Sequence, residues 1–113
     1  MRDSSERLRD ILEAIERINR YAAKGKSAFE DDELIQTWII RHLQIIGEAA
    51  RAMPEEIRSR DPEIPWAKIA GMRHVLVHGY FGIDLELVWG VVERELEPLR
   101  AGVSRLLEQL NGG

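Results

Sequence analysis

Apolar residues recur at helical spacing from the start of the chain, where Leu8, Ile11, Leu12, Ile15, Ile18 and Ala22 trace one stripe that runs until Gly25. Asp3 followed by Glu6 is a capping signal, so the first element is predicted as a helix of about five turns. Gly25-Lys26-Ser27 makes a turn, after which Ser27 with Glu30, or the Asp31-Asp32 pair, can start a second helix. Its apolar positions Leu34, Ile35, Trp38, Ile39, Ile45, Ile46, Ala49 and Met53 wrap more widely than one stripe. Such a helix is expected at the centre of a bundle or at a subunit contact. Pro54 should stop it, with one short helical turn over 55–60 before Asp61-Pro62. Pro65 fits the first position of a third helix and Gly79 its terminator. Asp84 caps a fourth carrying Leu85, Val88, Trp89, Val92 and Leu96. Pro98 either kinks or splits that helix, and Leu99, Val103, Leu106, Leu107 and Leu110 continue the stripe towards a flexible tail over 110–113. Nothing calls for strands, and there is no internal repeat. The expected architecture is all-α, an antiparallel four- to five-helix bundle in one domain spanning 1–113.

Composition narrows the class. The 113 residues are 44% apolar and 32% charged, enough for one ordinary core and too apolar for disorder. Zero cysteines exclude disulfides and thiolate metal sites. Met1 to Glu6 is polar and charged, unlike a signal peptide, and no apolar run reaches membrane length. The expectation is a cytoplasmic protein with no membrane contact. A net charge of -4 argues against broad nonspecific attraction to nucleic acid. Local basic groups could offset it, since Arg51, Arg58, Arg60, Lys68 and Arg73 cluster in sequence, although a solvated face is the ordinary role of the first three. Glu6, Glu13, Glu16 and Glu108 are likewise read as solvated faces.

The densest chemistry lies in Arg73-His74-Val75-Leu76-Val77-His78-Gly79-Tyr80, at the predicted end of the third helix. A guanidinium can hold a phosphate, an imidazole can move protons near neutral pH, and a phenol can donate a hydrogen bond or be modified. On an ideal helix Arg73 and His78 point about 140° apart and stand roughly 7.5 Å apart along the axis. Either the helix ends before His78, or the arginine reaches around, or a second copy of the chain completes the site.

Read as Arg-x-x-x-x-His-x-Tyr, the segment resembles the active-site motif of the HEPN ribonucleases, specifically the HepT-like toxins. The likeness extends through Ile45-Ile46-Gly47-Glu48-Ala49-Ala50, Ile64-Pro65-Trp66, Gly71-Met72-Arg73, Asp84 and Val88-Trp89, and covers about the whole chain. One departure is His74, where such proteins commonly carry Asn. The resemblance implies a helical bundle and a homodimer whose two-fold cleft holds two Arg73 and two His78. It implies metal-independent endonucleolytic cleavage of RNA to a 2′,3′-cyclic phosphate end, with transfer RNA as a candidate substrate and no cofactor. Arg73 and His78 would be catalytic, and His74 an accessory polar group of the cleft. Tyr80 matches the tyrosine that a partner minimal nucleotidyltransferase antitoxin modifies with AMP, silencing the nuclease.

Two other readings compete. His74 and His78 have the spacing by which two imidazoles share a metal ion, but no HExxH, Glu-x-x-His pair or cysteine supports a metal centre, and none is expected. A noncatalytic helical dimer that binds a nucleotide or a nucleotidyltransferase partner would show a broken arginine or histidine, and both are intact. Glu48 is read as bridging helices and not as catalytic.

Overall fold

The computed structural model describes residues 3–77 and 84–112. These form helices α1 (Ser4–Ala22), α2 (Lys26–Asp31), α3 (Glu33–Arg51), α4 (Glu55–Arg58), α5 (Trp66–Val77), α6 (Leu85–Arg94) and α7 (Leu96–Asn111), with no strand among the described residues. The chain is all-helical as its periodicity requires. The five longer helices make the bundle, and α2 and α4 are short connectors.

Asp3 starts α1 as predicted, its carboxylate accepting from Glu6 N at 2.8 Å. Leu8, Ile11, Ile15 and Ile18 are fully buried along the stripe, each burial stabilising by about 1.5–3 kcal/mol. α1 packs against both α3 and α7. It runs antiparallel to α3: Tyr21 meets Trp38 edge to face at 5.3 Å, the Trp38 indole donates to Arg17 O at 2.9 Å, and Asp10 near the other end shares a cavity with Glu48.

The second predicted helix is two helices. Asp32 leaves the helical region (φ -121°, ψ 106°) and its side chain accepts from Leu34 N at 2.9 Å, capping α3. The Gln36 amide donates to the carbonyls of Phe29 (2.9 Å) and Glu30 (3.1 Å), satisfying the end of α2. The break lets α2 turn onto α6, where Phe29 is buried against Trp89 at 5.4 Å and Lys26 pairs with Glu86 at 3.1 Å. α2 begins after Gly25, whose φ of 96° favours glycine. α3 is the central helix, packed on α1, α2 and α5. Its apolar wrap is narrower than the pattern suggested, because Leu34 is 81% exposed.

Pro54 does end the α3 segment and stands as N-cap of α4. Pro98 splits the last helix, and the break falls at Glu95. Proline offers no N–H to the carbonyl of Arg94, so the helix restarts early enough to place Pro98 in the first turn of α7. Leu99 N then bonds to Glu95 O at 3.2 Å. Gly102 brings α7 close to the connector before α5, since a Cβ there would lie 2.8 Å from Ile64 Cγ1.

Candidate functional site

The helix that carries the motif is held at its start by an aromatic anchor. Trp66 is buried, and its indole N–H is shared between Arg58 O and Asp61 O, each at 3.2 Å. Trp66, Ile69 and Met72 are the buried positions of the described turns of α5, which packs on α3. That sets the rotation of the helix. By helical periodicity, position 73 shares a side with Trp66 and Ile69, and position 74 falls nearer Gly71 on the opposite side. Among the described residues, no atom beyond its chain neighbours and its own helix backbone lies within 4 Å of where a Cβ on Gly71 would be. Arg73 and His74 are therefore backbone positions of the second half of α5. His78 and Tyr80, and Gly79 as terminator, lie outside the described residues. Asp84 re-enters the described chain as predicted, capping α6 by accepting from Leu87 N at 3.1 Å.

The basic residues flanking the motif divide. Arg58 pairs with Glu55 at 3.2 Å and Lys68 with Glu95 at 2.6 Å, so both are spent on exposed structural contacts. Arg51 and Arg60 are exposed. Glu48 is exposed too, has an interaction of its own, and lines a cavity between α1 and α3. Among the described residues no group of three or more His, Cys, Asp or Glu is placed to hold a metal ion. The His74 and His78 pair falls partly outside them. No helix among the described residues is long and apolar enough to cross a membrane.

One ionisable residue of interest escaped the sequence reading. His42 is only 6% exposed. Its Nδ1 lies 2.7 Å from the Trp38 carbonyl, which only accepts, so that nitrogen carries the proton. The ring packs on Trp38 at 4.5 Å. The signal was present, since His42 follows Trp38 by four and Ile39 by three, within the buried face of α3.

Comparison with known proteins gives this helical arrangement a class. The family model described as "Ribonuclease HepT-like" matches residues 11–106, and the chain belongs to that family. The "Probable ribonuclease HepT" of Thermococcus cleftensis is 38% identical over 93% of this chain and 96% of its own length. A longer protein of Methanocaldococcus jannaschii, whose name joins gamma-glutamylcyclotransferase with RNase, is 38% identical over 92% of this chain. The chain spans about half of that relative, 47% of its length. A protein of Caldanaerobacter subterraneus subsp. tengcongensis with RNase in its name is 38% identical over 76% of this chain and 79% of its own length. No solved structure gives a significant match.

Proposed function

We infer that this chain is a metal-independent endoribonuclease of the toxin type, working as a two-fold homodimer. The observation that carries the reading is the position of Arg73 and His74 on α5, within a chain matched by a ribonuclease family over residues 11–106. RNA cleavage without a metal needs a base for the 2′-hydroxyl, a cation for the phosphoryl charge and an acid for the leaving oxygen. His78 takes the 2′-hydroxyl proton. The 2′-oxygen attacks the adjacent phosphorus, the bond to the 5′-oxygen breaks, and the products are a 2′,3′-cyclic phosphate and a 5′-hydroxyl end. A dimer supplies two His78, so that one imidazole accepts a proton while the other protonates the leaving oxygen. Arg73 holds the phosphoryl oxygens with its planar fork, a role that lysine does not fill. His74 adds a second polar group beside them.

Transfer RNA is the proposed substrate. Control falls to Tyr80, modified with AMP by a minimal nucleotidyltransferase antitoxin, because added charge and bulk beside the motif oppose a phosphate backbone. The activity test is incubation of the partner-free protein with a transfer RNA pool in EDTA, beside Arg73→Ala and His78→Ala. Cleavage by the wild type alone is the expected result. An intact, unmodified dimer that leaves RNA whole would replace this reading with a noncatalytic module that binds a nucleotide or a nucleotidyltransferase. Mass spectrometry after co-expression with the antitoxin should find AMP on Tyr80, and a silenced complex with unmodified Tyr80 would remove that control mechanism.

A further inference from the structure

The seam between α1 and α3 holds a cavity of about 630 Å³. Arg7 of α1 and Arg41 of α3 line it together with Gln44 and Ile45. Among the described residues, neither arginine makes an ion pair or a side-chain hydrogen bond, although Arg7 is half-buried. Partial burial of a guanidinium without an acceptor is unfavourable unless something supplies negative charge. The two carboxylates lining the same cavity, Asp10 and Glu48, each have an interaction of their own. Two antiparallel helices thus present two uncommitted cations to one space large enough for a nucleotide unit.

A smaller cavity of about 180 Å³ adjoins it, sharing Asp10 and Ile45, and is lined by His42. With Nδ1 donating to Trp38, Nε2 is the ring's acceptor, and no hydrogen bond to it is made among the described residues. It can take a hydroxyl proton donor such as a ribose.

We propose that the α1/α3 groove is a phosphate-binding site in which Arg7 and Arg41 hold the phosphate of a nucleotide unit whose sugar turns towards His42. The phosphate can come from an RNA strand or from a free nucleotide. The RNA source rests on the ribonuclease reading above, whereas affinity for phosphate does not. Forked guanidinium groups suit either source, since each offers parallel donors to two phosphate oxygens.

The test compares the wild-type protein with an Arg7→Gln/Arg41→Gln double variant, both checked by circular dichroism and sedimentation. The probes are AMP, followed by the line width of its phosphorus resonance, and a fluorescent RNA 12-mer, whose integrity is checked by electrophoresis after each titration. RNA binding should weaken by about tenfold or more in the variant, and the slope of log affinity against log salt should fall by about 0.7, the loss of one neutralised single-strand phosphate. Arg7→Lys/Arg41→Lys, which keeps the charge, should recover the salt slope with only part of the affinity. Loss confined to AMP assigns the site to free nucleotides, and loss confined to the 12-mer assigns it to RNA. Unchanged binding of both probes overturns the proposal. So does a variant whose dimer dissociates while its AMP binding persists, which would make the groove an interface between copies. Transfer RNA cleavage measured in parallel separates the two readings: binding lost in the variant with no cleavage by the wild type keeps the groove and removes the ribonuclease, and normal cleavage with unchanged binding does the reverse.

Discussion

Lys68 Nζ lies 2.6 Å from Glu95 Oε1, an ion pair that ties the first turn of the motif helix to the break between α6 and α7. The lysine is well exposed, so the attraction acts largely through water. A double-mutant cycle with Lys68→Ala and Glu95→Ala should give a coupling of about 0.2–1 kcal/mol. It should shrink in 1 M salt, where the Debye length is about 3 Å. A coupling indifferent to salt would contradict the exposed geometry.

Two helical glycines should respond in opposite ways to alanine. Gly71 faces open space, so Gly71→Ala removes only backbone freedom and should stabilise by about 0.5–1 kcal/mol. Gly102→Ala would drive a methyl to 2.8 Å from Ile64 Cγ1 and should cost about 1–3 kcal/mol through overpacking. Urea denaturation of both variants reads the difference. If Gly71→Ala destabilises the chain in dilute solution, α5 is contacted there by something other than the described residues.

Asp84 resumes the described chain immediately after the motif, and its carboxylate fixes where α6 begins. Asp84→Ala should lower stability by about 0.5–2 kcal/mol, the usual cost of losing an N-cap. Asp84→Asn should retain most of it. An equal loss in the two variants would mean that the charge, and not the cap, matters.

The seat of α2 on α6 depends on Phe29, fully buried beneath Trp89. Phe29→Ala should cost about 3–5 kcal/mol, and near-ultraviolet circular dichroism should report the changed surroundings of Trp89. A loss under 1 kcal/mol would show that α2 is dispensable to the core.

Two exposed ion pairs give opposite pH dependences. Hydrogen bonding and charge from Glu86 hold the Lys26 ammonium above its ordinary value of 10.5. That contribution is fully present below 10.5 and is lost as pH rises through the higher folded value. The hydrogen bond from Arg100 holds the Glu97 carboxyl below its ordinary 4.5, so this contribution is present above 4.5 and is lost as pH falls through the lower folded value. Carbon-detected NMR titration should find Glu97 shifted down, and Arg100→Ala should return it. Glu97 unmoved by that substitution would refute the pairing.

Much of this fold was legible because several helix starts were written in one residue. Asp3, Asp84 and Pro54 act where the pattern put them, since a cap depends on a local hydrogen bond or a missing N–H. The cut at Asp32 was harder: of the two candidate start signals only Asp32 caps a helix, α2 starts after Gly25 with Ser27 inside it, and only the distant contact of Phe29 with Trp89 gives the break its value. Glu95 is a similar case: Pro98 announces a fault, but the site of rupture is set by the carbonyl that proline cannot serve, one turn earlier. His42 was passed over because a single histidine on an apolar face has no periodic signature of its own. For the candidate site, the sequence supplies residue types and α5 supplies the placement of Arg73 and His74. The cavity with Arg7 and Arg41 was invisible, since the antiparallel pairing of α1 with α3 alone brings those two positions together.

The packing of α1 against α7 as well as α3 has a consequence in time. α1 and α3 are close in sequence and can pair while the ribosome is still adding residues, but the rest of α1's apolar surface waits for a helix that begins at Leu96. Until Leu99, Val103 and Leu106 arrive, the growing chain carries an unsealed flank and has every reason to stay loose. The first helix of the bundle is thus sealed only by its last, so the fold closes late in the synthesis of these residues.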